Sequence, residues 1–264
     1  MKVALIAGFL QSAEDLRELE SALSARGFTV EPADVTELLS LDSASEAIDR
    51  FCARFQDAEL WVGYSMGARL ALHGLFRAQA LQRAPAGLVL VSGTPGLTVE
   101  ADRHERRVVD ARRAAALRDD PDGFVADWGK LPLFDALRSQ PAFNLLQKRR
   151  RERIQNQWVD LWSHALVELS PGQLGSLWEQ LVSVRCPVLF LAGEKDPKYV
   201  EIARRAAAIT AHARAEVIDH AGHSLPLENP ERVANEIFRF AQEIKSSQSK
   251  STGVGNAPSA AKRA

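Results

Sequence analysis

Cysteine is scarce. The 264 residues hold two, Cys52 and Cys186. Two isolated thiols make neither a disulfide framework nor a metal site, and both read as buried and reduced. Long apolar runs are also missing. Met1 to Ile6 runs straight into Gly8, too short for a signal sequence or a membrane span. That predicts a cytoplasmic chain with no membrane span. Excess charge is absent, with 33 basic and 34 acidic side chains. Nothing global draws the chain to nucleic acid or an anionic membrane. A phosphate-binding glycine loop is lacking as well, because Ala7-Gly8-Phe9-Leu10-Gln11 has the wrong spacing for a pyrophosphate. What remains is an ordinary globular composition, 46% hydrophobic and 25% charged. The length suits one large domain or a core with an insertion.

Short apolar strands alternate with helical patterns in the first part of the chain. Val3 to Ile6, Phe28 to Val30, Glu59 to Gly63 and Gly87 to Val91 read as strands. Ser12 and Ser43 read as helix starts, and the second helix turns Ala47, Ile48, Phe51 and Phe55 inward. Near-continuous apolar strands separated by helices predict an α/β fold with a mostly parallel sheet covered on both faces. From about residue 98 to 182 the pattern is helical and rich in arginine and tryptophan, which predicts an inserted lid. Its expected helices are Arg103 through Arg118, Pro121 through Trp128, and a longer one from Arg149 through Leu169. Strands resume at Pro187 to Gly193 and Ala215 to Ile218, followed by a helix from Pro230 to Ile244. The expected organisation is a first core part over 1–97, the lid over 98–182, a second core part over 183–244, and a disordered polar tail over 245–264.

Gly63-Tyr64-Ser65-Met66-Gly67 carries the sharpest chemical signal. It matches G-x-S-x-G, the nucleophile elbow of α/β-hydrolases, and has the required strand before it and helix after it. A sharp turn holds such a serine strained, with its hydroxyl exposed. A hydroxyl needs a base, and His223 in Ala221-Gly222-His223-Ser224 follows the last strand. An acid is expected between the two in chain order. Asp196 fits after the fifth strand, where it would hold the imidazole in the proton-accepting tautomer. Glu194 stands as a rival acid and His220 as a rival base. Backbone donors for an oxyanion are expected from Met66 and Phe9. No cofactor or metal is called for.

Arginine is concentrated near this site. Arg69 lies one helical turn beyond Ser65. Arg103, Arg106, Arg107, Arg112, Arg113 and Arg118 form one lid group, and Lys148, Arg149, Arg150, Arg151 and Arg153 form another. A neutral ester does not need them, whereas a small-molecule polycarboxylate would use their bidentate forks. Each lid arginine could equally sit on a solvated helix face.

The run Gly63 to Leu72, Ser92-Gly93-Thr94-Pro95-Gly96-Leu97, Glu105 to Asp110, Ala126-Asp127-Trp128, Leu191 to Asp196 with Lys198-Tyr199, and Ala221-Gly222-His223 together resemble one branch of the α/β-hydrolase superfamily. It is the 2-succinyl-6-hydroxy-2,4-cyclohexadiene-1-carboxylate synthases of menaquinone biosynthesis. The resemblance spans residues 3 to about 243. It implies a lyase that removes a proton from a succinyl-cyclohexene substrate and eliminates pyruvate, with the serine acting as a base. Carried over by motif, Ser65, Asp196 and His223 would be the triad. Tyr64, Arg69, Arg106, Trp128 and Arg153 would contact substrate, with Arg107 competing for the place of Arg106. The chain has Ala7 where that family commonly has a histidine, and Ala68 where it usually has a glycine. Two other functions remain open at this level: a hydrolase of small carboxylated esters or thioesters, and a non-catalytic binding protein on the same scaffold.

Overall fold

The structure is a computed structural model and describes residues 1–39, 43–154 and 158–253. In chain order, β1 (Lys2–Ile6) leads through a short 3-10 turn into α1 (Arg17–Ala25). Gly27, at φ 82°, ends that helix in the left-handed region that glycine tolerates. Next come β2 (Thr29–Ala33), α2 (Val35–Leu39), α3 (Ala44–Arg54) and β3 (Leu60–Tyr64). Ser43 caps α3 in a reciprocal box with Glu46, as its S-x-x-E spacing dictates. Then α4 (Met66–Ala80) and β4 (Gly87–Val91) follow.

Among the described residues, six strands run parallel in the spatial order β2-β1-β3-β4-β5-β6, where β5 is Val188–Gly193 and β6 is Ala213–Ile218. The interior strands β3, β4 and β5 are buried throughout, and the edge strands β2 and β6 are half-exposed. That position makes Pro32 acceptable, because an edge strand can forgo one ladder hydrogen bond.

Strand alternation divides the core in two. Ala4, Ile6, Trp61, Leu88, Leu90 and Phe190 face one layer of helices. Val3, Leu5, Val62, Val89, Leu189 and Leu191 face the other, where α1 packs on the last helix. Each such Val, Leu, Ile or Phe side chain contributes about 1.5–3 kcal/mol by leaving water, so both faces must be covered.

Helices fill the segment between β4 and β5: α5 (Glu100–Asp119), α6 (Pro121–Gly129), α7 (Asp135–Arg138), α8 (Pro141–Arg153) and α9 (Trp158–Glu168). α5 lies along α9. Asp120 caps α6 by accepting from the Gly123 amide at 2.9 Å, with Pro121 in the first helical position. The long helix expected from Arg149 through Leu169 is instead the end of α8 and the whole of α9. After β5 come α10 (Pro197–Ile209), β6, α11 (Leu225–Glu228) and α12 (Pro230–Gly253). Helix α12 runs eight residues past the expected start of the tail at 245, and 254–264 lie outside the described residues. Among the described residues, no helix is long and apolar enough to cross a membrane.

Candidate active site

Ser65 sits between β3 and α4 with φ 51° and ψ −106°, a strained backbone for a non-glycine residue. Two glycines make the turn possible. A Cβ on Gly67 would come within 2.5 Å of the Ala7 carbonyl oxygen and 2.6 Å of that of Ile6. A Cβ on Gly63 would meet Gly67 O at 2.5 Å and Ala68 Cα at 2.6 Å. The Ser65 amide donates to Val91 O at 2.9 Å, which ties the turn to β4. Met66 is the first residue of α4, so its N–H has no intrahelical acceptor. Phe9 lies in the turn after β1, and both residues line the cavity above Ser65.

His223 reaches Ser65 from the loop after β6. Its Nε2 stands 3.1 Å from Ser65 Oγ, and its Nδ1 stands 2.8 Å from Asp196 Oδ2. A carboxylate can only accept, so Nδ1 carries the proton and the Nε2 lone pair faces the serine. The imidazole is 2% exposed. Its loop is held from three sides. Ser92 Oγ donates to His223 O at 2.8 Å. The Glu228 carboxylate accepts from the Gly222 amide and, at 2.9 Å, from the Ser224 amide. The Tyr199 ring meets the imidazole edge-on with centroids 4.6 Å apart. The rivals fall elsewhere. Glu194 accepts from the His220 amide at 2.8 Å, and the His220 side chain is 90% exposed.

Above the serine lies a cavity of about 260 Å³ lined by both core and inserted helices. Arg69, Arg106, Arg113 and Lys198 line it against two carboxylates, Asp110 and Asp196, a surplus of two positive charges with His223 neutral. Arg69 is 7% exposed, and its Nε donates to Leu169 O at 3.0 Å. Burial pulls its guanidinium down to about 10, which still leaves it charged at neutral pH. Arg106 lines the cavity, whereas Arg107 is turned to Gly172 O and Glu100. Trp128 also lines it, and its indole N–H is buried with no acceptor among the described residues. Phe9 packs edge-on against Trp128, Trp162 and Phe124, which couples the turn after β1 to the inserted helices.

Two expected substrate contacts lie off the cavity wall. Tyr64 shares the strand parity of Leu60 and Val62, so it points into the opposite core, where its hydroxyl is 3.3 Å from Ser224 Oγ. Arg153 is engaged below the loop after β1. It donates to Asp15 Oδ2 at 2.8 Å, Ser12 Oγ at 2.6 Å and Leu10 O at 3.3 Å. The Asp15 carboxylate is 1% exposed and needs such a cation. Conversely, Arg113, Lys198 and Tyr199 line the cavity without having been named individually as substrate contacts. Arg113 had a signal, since it lies seven residues after Arg106 on one face of α5. Lys198 and Tyr199 lie in the first turn of α10, two and three residues after Asp196, which places them at the same strand end. No cluster of metal-ligating side chains occurs among the described residues.

The model of the alpha/beta hydrolase family matches residues 7–236. A protein of Bacillus subtilis (strain 168) is 33% identical over 184 residues, 69% of this chain and 65% of that protein, so the match spans just under two thirds of that relative. The 2-succinyl-6-hydroxy-2,4-cyclohexadiene-1-carboxylate synthase of Salmonella newport (strain SL254) is 34% identical over 224 residues, 83% of this chain and 78% of the synthase. The structure of MenH from S. aureus superposes with a TM-score of 0.80 at 27% identity, covering 93% of this chain and 94% of that one. The chain therefore belongs to the alpha/beta hydrolase family, in the branch that contains the 2-succinyl-6-hydroxy-2,4-cyclohexadiene-1-carboxylate synthases.

Proposed function

We propose that the chain is a lyase that eliminates pyruvate from a succinyl-hydroxy-cyclohexene dicarboxylate to give 2-succinyl-6-hydroxy-2,4-cyclohexadiene-1-carboxylate. One observation carries the reading: the hydrogen-bonded series Asp196–His223–Ser65 opens into a cavity with a surplus of two positive charges. Arg69 and Arg106 pair with substrate carboxylates, and Trp128 donates its unused N–H. His223 takes the Ser65 proton, and Asp196 stabilises the imidazolium that forms. Ser65 Oγ then removes a proton from a ring-bound carbon. The C–H electron pair becomes a new C=C bond, the bond between the ring carbon and the oxygen of the pyruvyl group breaks, and the departing pyruvate enolate takes up the proton held on His223, which returns the triad to its starting state. Negative charge that builds on a conjugated carbonyl meets the Phe9 and Met66 amides.

A second reading, hydrolysis of small carboxylated esters or thioesters, draws on the same serine and amides, since an alkoxide able to deprotonate carbon can attack a carbonyl. Incubation with the cyclohexene substrate while pyruvate is measured separates the two. Pyruvate release that vanishes in Ser65→Ala supports the lyase, and ester turnover without pyruvate overturns it. We read the site of action as cytoplasmic, a setting that suits the two free cysteines.

A further inference from the structure

Asp110 is fully buried on α5, yet it lines the cavity, and among the described residues it is the only carboxylate there outside the serine–histidine–aspartate series. Its neighbours explain how a buried charge is tolerated. Oδ2 accepts from Arg106 Nε at 2.6 Å and from Ser170 Oγ at 2.6 Å, and Oδ1 accepts from Arg113 Nη1 at 3.1 Å. The two arginines stand four residues before and three after Asp110, so one helix face presents all three. Ser170 belongs to the turn after α9. Its hydroxyl also accepts from the Gly172 amide at 3.0 Å. Gly172 lies flush against α5, where a Cβ would come within 2.6 Å of Arg103 O and 2.8 Å of Arg107 N. Asp110 is thus fixed to a second element as well as to its own helix.

Each arginine spends only part of its fork on Asp110. Arg106 uses Nε, and both of its terminal nitrogens have no protein acceptor among the described residues. Arg113 uses Nη1, and its Nε and Nη2 are likewise uncommitted. The Arg113 guanidinium rests over the Trp128 ring, 5.4 Å from its centroid, which restrains it further. Two cations that share one buried carboxylate keep a net positive charge and present several donors side by side. That arrangement is matched by an incoming carboxylate.

We propose that Asp110 is a positioning residue that holds Arg106 and Arg113 as a paired clamp for one carboxylate of a dicarboxylate ligand, with Arg69 deeper in the cavity taking the other. The proposal rests on the polycarboxylate substrate class given above, but not on the elimination step. Charge and geometry here predict opposite signs. Removing the Asp110 charge raises the positive potential of the cavity, which through space alone would tighten anion binding. Loss of the clamp weakens it.

Succinate, the simplest flexible dicarboxylate, is the probe, and calorimetry on the full chain needs no turnover. Asp110→Asn is expected to weaken succinate at least about fivefold, and Arg113→Ala about tenfold, the range of a lost charge-assisted contact. Unchanged or tighter succinate binding in Asp110→Asn overturns the clamp, as does an unmodified chain that does not bind succinate. If Asp110→Asn fails to fold by circular dichroism, Ser170→Ala tests the same idea, because it removes one restraint and no charge. It is expected to weaken succinate about twofold or more, and unchanged affinity in that variant overturns the proposal. Succinate binding that follows this pattern in a chain that releases no pyruvate would refute the lyase reading and leave the clamp standing.

Discussion

Arg69→Met separates function from stability, because the structure assigns the two opposite signs. The native guanidinium is 7% exposed, and burial pulls it down to about 10. That drop from the ordinary guanidinium value corresponds to about 3 kcal/mol against folding. The sign follows from the direction of the shift. The folded state disfavours the charged form, so the penalty is complete below pH 10 and recedes only above it. Methionine removes the penalty and keeps much of the stem's packing. It also removes the bond to Leu169 O, which leaves a buried carbonyl short of a donor at a cost of about 1–3 kcal/mol. The net change is between zero and about 2 kcal/mol in favour of the variant, or up to about 8 °C in Tm for a chain of this size. Binding moves the other way. A substrate carboxylate left without its buried partner costs about 2–5 kcal/mol, a rise in KM of roughly 30-fold or more. Calorimetric melting at pH 7 and steady-state pyruvate release measure the two effects on one preparation. A variant that loses several degrees of Tm while KM stays within about twofold would refute the reasoning, since Arg69 would then be a structural residue.

Three further perturbations follow from particular contacts. Gly67→Ala drives a Cβ into the Ala7 and Ile6 carbonyls, which are backbone and cannot yield; it should lower stability by about 2–4 kcal/mol in a denaturant melt. Glu228→Gln leaves one carbonyl oxygen for the two amides that flank His223; kcat should fall about tenfold, with a stability loss near 1–2 kcal/mol. Burial pushes Asp34 up to about 6, so the folded state holds that proton to higher pH than the unfolded chain does. Ionising it weakens the fold, a cost absent near pH 4 and complete above pH 6. Asp34→Asn keeps an acceptor for the Ala13 amide and should raise stability at pH 8 by about 1–2 kcal/mol, with the gain gone at pH 4 in paired urea melts.

The interior of the sheet was legible because β3, β4 and β5 are buried on both faces and read as unbroken apolar runs. β2 and β6 were read short, since edge strands carry Glu, Pro and Arg that a half-exposed position accepts. Ser65, Asp196 and His223 were legible from motif, order and strand ends, and the structure brings all three together. The lid was harder. Helical spacing shows which arginines share a face, but not which of two faces meets the cavity. Arg106 and Arg113 turn in, while Arg153 is claimed by Asp15, a carboxylate 138 residues away in sequence. No local pattern announces such a long-range pairing. Tyr64 lies off the cavity wall for a different reason: strand parity, readable in principle from Leu60 and Val62, turns it into the opposite core.

The identity of the Ser65 chemistry turns on whether its oxygen bonds to hydrogen or to carbon. Intact-mass spectrometry of the protein, quenched during steady turnover of the succinyl-cyclohexene substrate with pyruvate followed in parallel, decides this directly. A base releases pyruvate while the protein mass stays that of the free chain, and Ser65→Ala releases none. A covalent adduct on Ser65 that forms and decays at the rate of turnover would contradict the proposed proton abstraction.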